Sequence, residues 1–98
     1  MSSSFPLSLS SRIRRRSDVV SDVVGGEAVL VSPKQARVRM LNETGSLIWR
    51  LADGATTLQQ MAEALAAEYA VTVEDCSPDV VAFAQELLAA GVVELVND

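Results

Sequence analysis

The polar and apolar positions of this chain follow two patterns that meet at Leu41-Asn42. Before that point the apolar residues cluster or alternate and are often β-branched; after it they recur every third or fourth position. Val19–Val24 and Glu27–Ser32 flank Gly25-Gly26, a two-residue loop able to take positive φ, which predicts a β-hairpin. Pro33-Lys34 makes the next turn, and Gln35–Leu41 reads as a third strand. Within it Ala36, Val38 and Met40 alternate with Arg37 and Arg39, so the apolar face is expected to be buried and the charged face to meet water.

Asn42 is placed to cap a first helix, its side-chain oxygen accepting a backbone N–H that the first turn leaves unpaired. Leu47, Ile48 and Leu51 follow at helical spacing, and Asp53-Gly54 closes the element in a turn. A second helix opens at Thr57, with Gln60 three positions on completing a capping box. Leu58, Met61, Ala62, Leu65 and Tyr69 form its apolar stripe. After a loop over Ala70–Cys76, Ser77 as cap and Pro78 in the first turn open a third helix that runs to Ala90 and stops at Gly91. Val92, Val93 and Leu95 form a short tail expected to tuck against the core. The third helix is apolar over an arc of roughly 160°, wider than one packing seam requires. The surplus either lies under the amino-terminal hairpin or forms the wall of a groove.

Composition narrows the class. The 98 residues are 49% apolar, enough for one modest core and too apolar for disorder throughout. No apolar run approaches the ~20 residues that span a bilayer. With no histidine and a single cysteine, Cys76, a disulfide framework within the chain is impossible and a Cys/His metal site is close to excluded. The lone thiol fits a reducing, cytoplasmic setting. Cys76 is read as part of a polar loop, where Glu74 and Asp75 disfavour a reactive thiolate. Charge is uneven: Arg12, Arg14, Arg15 and Arg16 precede a chain that has no Lys or Arg after Arg50. Residues 1–17, with seven serines, read as a flexible arm with a hint of a transit peptide, ahead of a domain over residues 18–98.

These residues offer no Ser-His or Cys-His pair and no Gly-rich phosphate loop, so the chain reads as non-catalytic and without cofactor or metal. The predicted fold is α+β and winged-helix-turn-helix-like, a three-stranded antiparallel sheet followed by three helices. The familiar use of that architecture is DNA binding, which rests on Lys and Arg neutralising phosphates. Neither later helix carries a basic residue, and the third carries Asp79 and Glu86. A nucleic-acid-binding regulator therefore remains only as an alternative, resting on the arginine arm. Another is a domain that dimerises through an edge strand.

The run Leu41-Asn42-Glu43-Thr44-Gly45 with Ile48-Trp49, then Asp53-Gly54, Leu58, the helix to Tyr69, Asp79-Val80, and Leu87 with Gly91-Val92-Val93 resembles the PqqD family. That family includes the pyrroloquinoline quinone chaperone and related elements that recognise leaders of ribosomally made, modified peptides. The resemblance covers about residues 19–95 in order; the arginine-rich arm lies outside it. It implies a winged-helix-like fold without DNA binding, and a leader peptide that adds as an extra strand to the third strand, opposite the third helix. The implied strand contacts are Gln35, Ala36, Arg37, Val38, Arg39, Met40 and Leu41; on the helix they are Val81, Ala84, Gln85 and Leu88. Such a mode gains affinity from main-chain bonds and specificity from side-chain pockets. Arg37 and Arg39 would pair with acidic leader residues or protect the edge from aggregation. The implied partner is a radical SAM enzyme or a leader-removing protease.

Overall fold

The computed structural model describes residues 7–32 and 37–96. Nine elements occur among them: β1 (Arg12–Arg15), β2 (Val20–Val24), β3 (Glu27–Ser32), β4 (Arg37–Met40), α1 (Glu43–Leu51), β5 (Asp53–Thr57), α2 (Leu58–Tyr69), α3 (Val73–Ala90) and β6 (Val93–Val96). The α+β expectation holds with an addition. The strands form two antiparallel three-stranded sheets, β2-β3-β4 and β5-β1-β6, where one had been expected.

The second sheet corrects the reading of the arm. Arg12–Arg15 is the central strand of that sheet, and Ile13 has no exposed surface. Ile13 pairs with Leu95 of β6, and Arg14 stands opposite Glu94, with which it forms an ion pair. The predicted apolar tail is thus a strand. Arg15 donates to the carbonyls of Trp49 and Arg50 at the end of α1, and Arg16 pairs with Asp18. The arginines read as a solvated arm are therefore committed to this sheet and its surroundings.

The first helix is capped as expected: Asn42 Oδ1 accepts from Gly45 N at 2.8 Å. No turn follows it, because Asp53 and Gly54 enter β5. The Asp53 carboxylate accepts the N–H groups of Ala55 and Thr56, which hold its pKa below the usual aspartate value. Thr57 and Gln60 form the capping box of α2, whose buried stripe is Leu58, Met61, Ala62 and Leu65; Tyr69 stays largely exposed.

The third helix begins earlier than Ser77. Thr72 is its cap, its side chain accepting from Asp75 N at 3.1 Å, so Pro78 lies inside the helix. Proline there withholds an N–H from the carbonyl of Glu74, four residues back. Cys76 is consequently buried on the helix and not in a loop, and its thiol donates to Ala62 O at 3.2 Å. The wide apolar arc is largely covered: Val80, Ala84, Leu87 and Leu88 are buried, and α3 packs along α2 and β6.

Among the described residues, no helix is long and apolar enough to cross a membrane.

Candidate peptide-binding edge

The candidate site begins where β3, β4 and α1 meet. Leu41 N donates to Ala28 O at 2.8 Å, as the end of the β3–β4 ladder requires. The returning bond is rerouted through a side chain. Ser46 Oγ accepts from Ala28 N at 2.7 Å and donates to Leu41 O at 3.2 Å. A buried hydroxyl thus stands in for one rung of the ladder and ties the sheet to the first helix. Removing it would leave two buried backbone groups unpaired.

This anchor fixes which way β4 presents its backbone. Leu41 turns its N–H toward β3, and backbone groups alternate along a strand, so Arg39 and Arg37 also face β3. The N–H and C=O groups of Val38 and Met40 therefore point out from the sheet. In the order β2-β3-β4 that side is an edge. Such a row of main-chain groups is a template for one more strand.

The side chains of β4 alternate as predicted, but with the faces reversed. Val38 lies opposite Val31, and Met40 opposite Val29, on the face turned away from the core. Val38 is 69% exposed and Met40 64%. Arg37 and Arg39 lie opposite Ser32 and Leu30, on the face that β3 turns to the core, yet both remain exposed. Long guanidinium side chains can lie on this inner face and still reach solvent at the edge, as the exposure of both arginines shows. The expectation that Val38 and Met40 are buried is thus corrected. Gln35 and Ala36 lie outside the described residues. Leu41 is core, 4% exposed, and contributes anchoring rather than an open edge.

The third helix reaches this corner through Phe83. A Cβ on Gly45 would lie 2.8 Å from Phe83 Cζ, so the ring packs against the one residue of the first α1 turn that has no side chain. At 100° per residue, Phe83 stands about 160° around α3 from Val81. Val81 and Gln85 therefore flank the buried stripe on the side away from Phe83. Ala84 has no exposed surface, and Leu88 is buried. Phe83 was absent from the residues expected at the site. A glycine in the first turn of a helix, where it costs about 1 kcal/mol against alanine, was the available sign that something packs there.

Other indentations lie elsewhere. A cleft of about 490 Å³ between β2 and α1 is lined by Arg15, Ser21, Val23, Ala28, Trp49 and Arg50. Among the described residues, no group of His, Cys, Asp and Glu side chains is placed to hold a metal ion.

Comparison with known proteins bears on this geometry. A family model described as coenzyme PQQ synthesis protein D (PqqD) matches residues 27–93, from the start of β3 into β6. No curated protein matches the chain. Among solved structures, TbiB1 in complex with the TbiA(beta) leader peptide is 26% identical, with a TM-score of 0.76 over 83% of this chain and 94% of that one. Lasso peptide synthetase B1 complexed with the leader peptide has the same TM-score over 85% of this chain and 98% of that one, and at 23% identity supports the fold alone.

Proposed function

This chain belongs to the PqqD family, and on that footing we propose that it is a non-catalytic adaptor that binds the leader of a ribosomally made precursor peptide. The leader adds as a strand to β4 and is presented to a modifying or processing enzyme. The observation that carries the reading is the outward turn of the Val38 and Met40 main-chain groups along an edge strand; Phe83 of α3 packs on Gly45, in the first turn of the helix that follows it. TbiB1, a relative of similar fold, was solved with a leader peptide bound, which supports the same class of ligand here.

Each part of the edge has a role in this reading. Val38 and Met40 supply main-chain donors and acceptors, and Arg37 and Arg39 attract acidic leader residues on the helix-facing side. Phe83 offers an apolar wall; Val81 and Gln85 are contacts only for a leader that crosses α3. Holding the precursor by its leader raises the effective concentration of the segment to be modified. The setting is the cytoplasm, where precursor and enzyme meet after translation. The enzyme is of the radical SAM or leader-peptidase kind.

The nucleic-acid alternative draws less support from these arginines, since Arg14, Arg15 and Arg16 already bond to groups of the protein itself. A fluorescence-anisotropy titration tests the choice. The probes are labelled leader peptides encoded beside the gene, with a DNA duplex as control, at physiological salt. Saturable binding of a leader with a silent duplex is expected. Duplex binding with every leader inert would overturn the proposal.

A further inference from the structure

The outer face of the β2-β3-β4 sheet has no part in the reading above. Strand pairing sets Val20, Val31 and Val38 in one row across it and Asp22, Val29 and Met40 in the next. Val20 is 60% exposed, Val31 36%, and Val38 and Met40 more than either. Ala28, Leu30 and Ser32, on the other face of β3, are all buried. A sheet that served only its own core would carry charge on the outside. Here the exposed edge strand turns its two arginines inward and its apolar residues outward, and contiguous apolar surface of this kind marks an interaction site.

We propose that this outer face docks the enzyme that acts on the bound precursor, through a patch on the enzyme that is apolar at its centre and basic at one border. The inference rests on the leader-binding reading and deepens it. Charge favours this occupant over a second copy. Asp22 and, beside Val24, Glu27 stand on the same face at the hairpin end, and no basic side chain of β2, β3 or β4 shares it. Two such faces brought together would set like charges within a chain that already carries a net charge of −5. Continuity with the leader edge adds a further argument. A strand added to β4 extends the same surface, since its alternate side chains stand on the outer face beside Val38 and Met40. The enzyme then touches adaptor and leader together, and the loaded adaptor presents more surface than the empty one.

The test is a double variant, Val20→Lys with Val31→Lys, measured in two assays. Anisotropy with the labelled leader is expected to give an affinity within about threefold of wild type: Val20 lies two strands from the leader edge, and Val31, although opposite Val38, bonds through its main chain to β2 and not to β4. Biolayer interferometry with the immobilised maturation enzyme is expected to show binding weakened about tenfold or more, and wild-type binding tighter with leader present. Unaltered enzyme binding by a variant that still holds the leader overturns the inference. So does a wild-type dimer in light scattering that the variant abolishes, which would assign the face to a second copy. Should the double variant fail to fold, Val20→Lys alone carries the test at an exposed position of an edge strand. If wild type binds no leader, the parent reading fails separately, and enzyme binding by the empty adaptor still decides whether this face docks it.

Discussion

The hairpin sheet has two edges, β2 and β4, and they are finished differently. Along β2 the two-residue turn pairs Val24 with Glu27, so Ser21 and Val23 direct their N–H groups outward. The Val23 N–H is taken at once by the carboxylate of the preceding residue, Asp22, at 2.8 Å. An incoming strand at β2 would have to displace a charge-assisted bond and approach an acid. Along β4 the outward groups belong to Val38 and Met40, and the nearest charges are Arg37 and Arg39. One edge is closed by its own side chain and carries an acid; the other has no strand beside it among the described residues and is flanked by two cations. Edge strands are a hazard that proteins blunt, here with an acid on β2 and inward arginines on β4; on the proposed reading only the first also occupies an outward N–H, which would direct strand addition to the other side.

The largest test of that contrast replaces one outward donor on each edge. Val38→Pro removes the N–H and the strand-adding geometry at the centre of β4 while leaving its bonds to β3 in place. Leader affinity is expected to fall about tenfold or more, the loss of a main-chain bond together with a steric block. Ser21→Pro makes the equivalent change on β2 and is expected to leave leader affinity unchanged. Equal losses from the two variants, with folding verified by circular dichroism, would erase the distinction between the edges.

Next in size is Gly45→Ala. The added methyl would meet Phe83 Cζ at 2.8 Å and Cε2 at 3.3 Å, so the ring must move away from the first turn of α1. Overpacking of this kind costs about 1–3 kcal/mol, offset by about 1 kcal/mol of helix propensity. Stability should change little or fall modestly, while leader affinity is expected to fall about threefold, on the order of 0.7 kcal/mol. A thermal melt and an anisotropy titration separate the two effects. Unchanged affinity would remove Phe83 from the site.

How much of this was legible in the chain depended on whether the signal was local. Gly25-Gly26 placed the hairpin, and Asn42 and Thr57 placed two helix starts, because each acts through bonds to residues at most three positions away. For the third helix the sequence suggests too late a start, because Ser77-Pro78 is a strong local start signal. Thr72 makes a competing cap, and once α3 is packed on α2 the missing Pro78 bond is tolerated. Strand β1 gave almost no sign, since four residues with one apolar member, Ile13, show no alternation; its partners β5 and β6 lie some forty and eighty residues on. In β4 the alternation was correct and its direction was not. A period of two defines two faces without saying which is inward. Only the pairing of β4 with β3, whose Ala28, Leu30 and Ser32 face the core, decides that, and it is a property of the assembled fold.

A smaller effect is expected from the charges beside the open edge. Replacing Arg37 and Arg39 together by alanine should weaken an acidic leader about threefold at low salt, in keeping with exposed ion pairs of 0.2–1 kcal/mol each. The difference from wild type should shrink as ionic strength rises, because such pairs are screened. A leader probe whose acids are replaced by amides should not distinguish the two proteins. If it does, the arginines act through packing or strand geometry and not through charge.

The smallest expected effect lies on the closed edge. Asp22→Ala uncovers the Val23 N–H and removes one acid from β2, leaving Ser21 and Val23 as an open strand beside the exposed side chains of Val20 and Val24. Leader affinity at β4 should stay within about twofold, since the edges are separated by the whole of β3. What should change is the protein's behaviour toward itself: light scattering over a concentration series is expected to reveal weak association that wild type lacks. A variant that remained monomeric at every concentration would mean that the Asp22 bond does not guard the edge. The selectivity for β4 would then have to come from attraction at the open edge alone, through the arginines and Phe83.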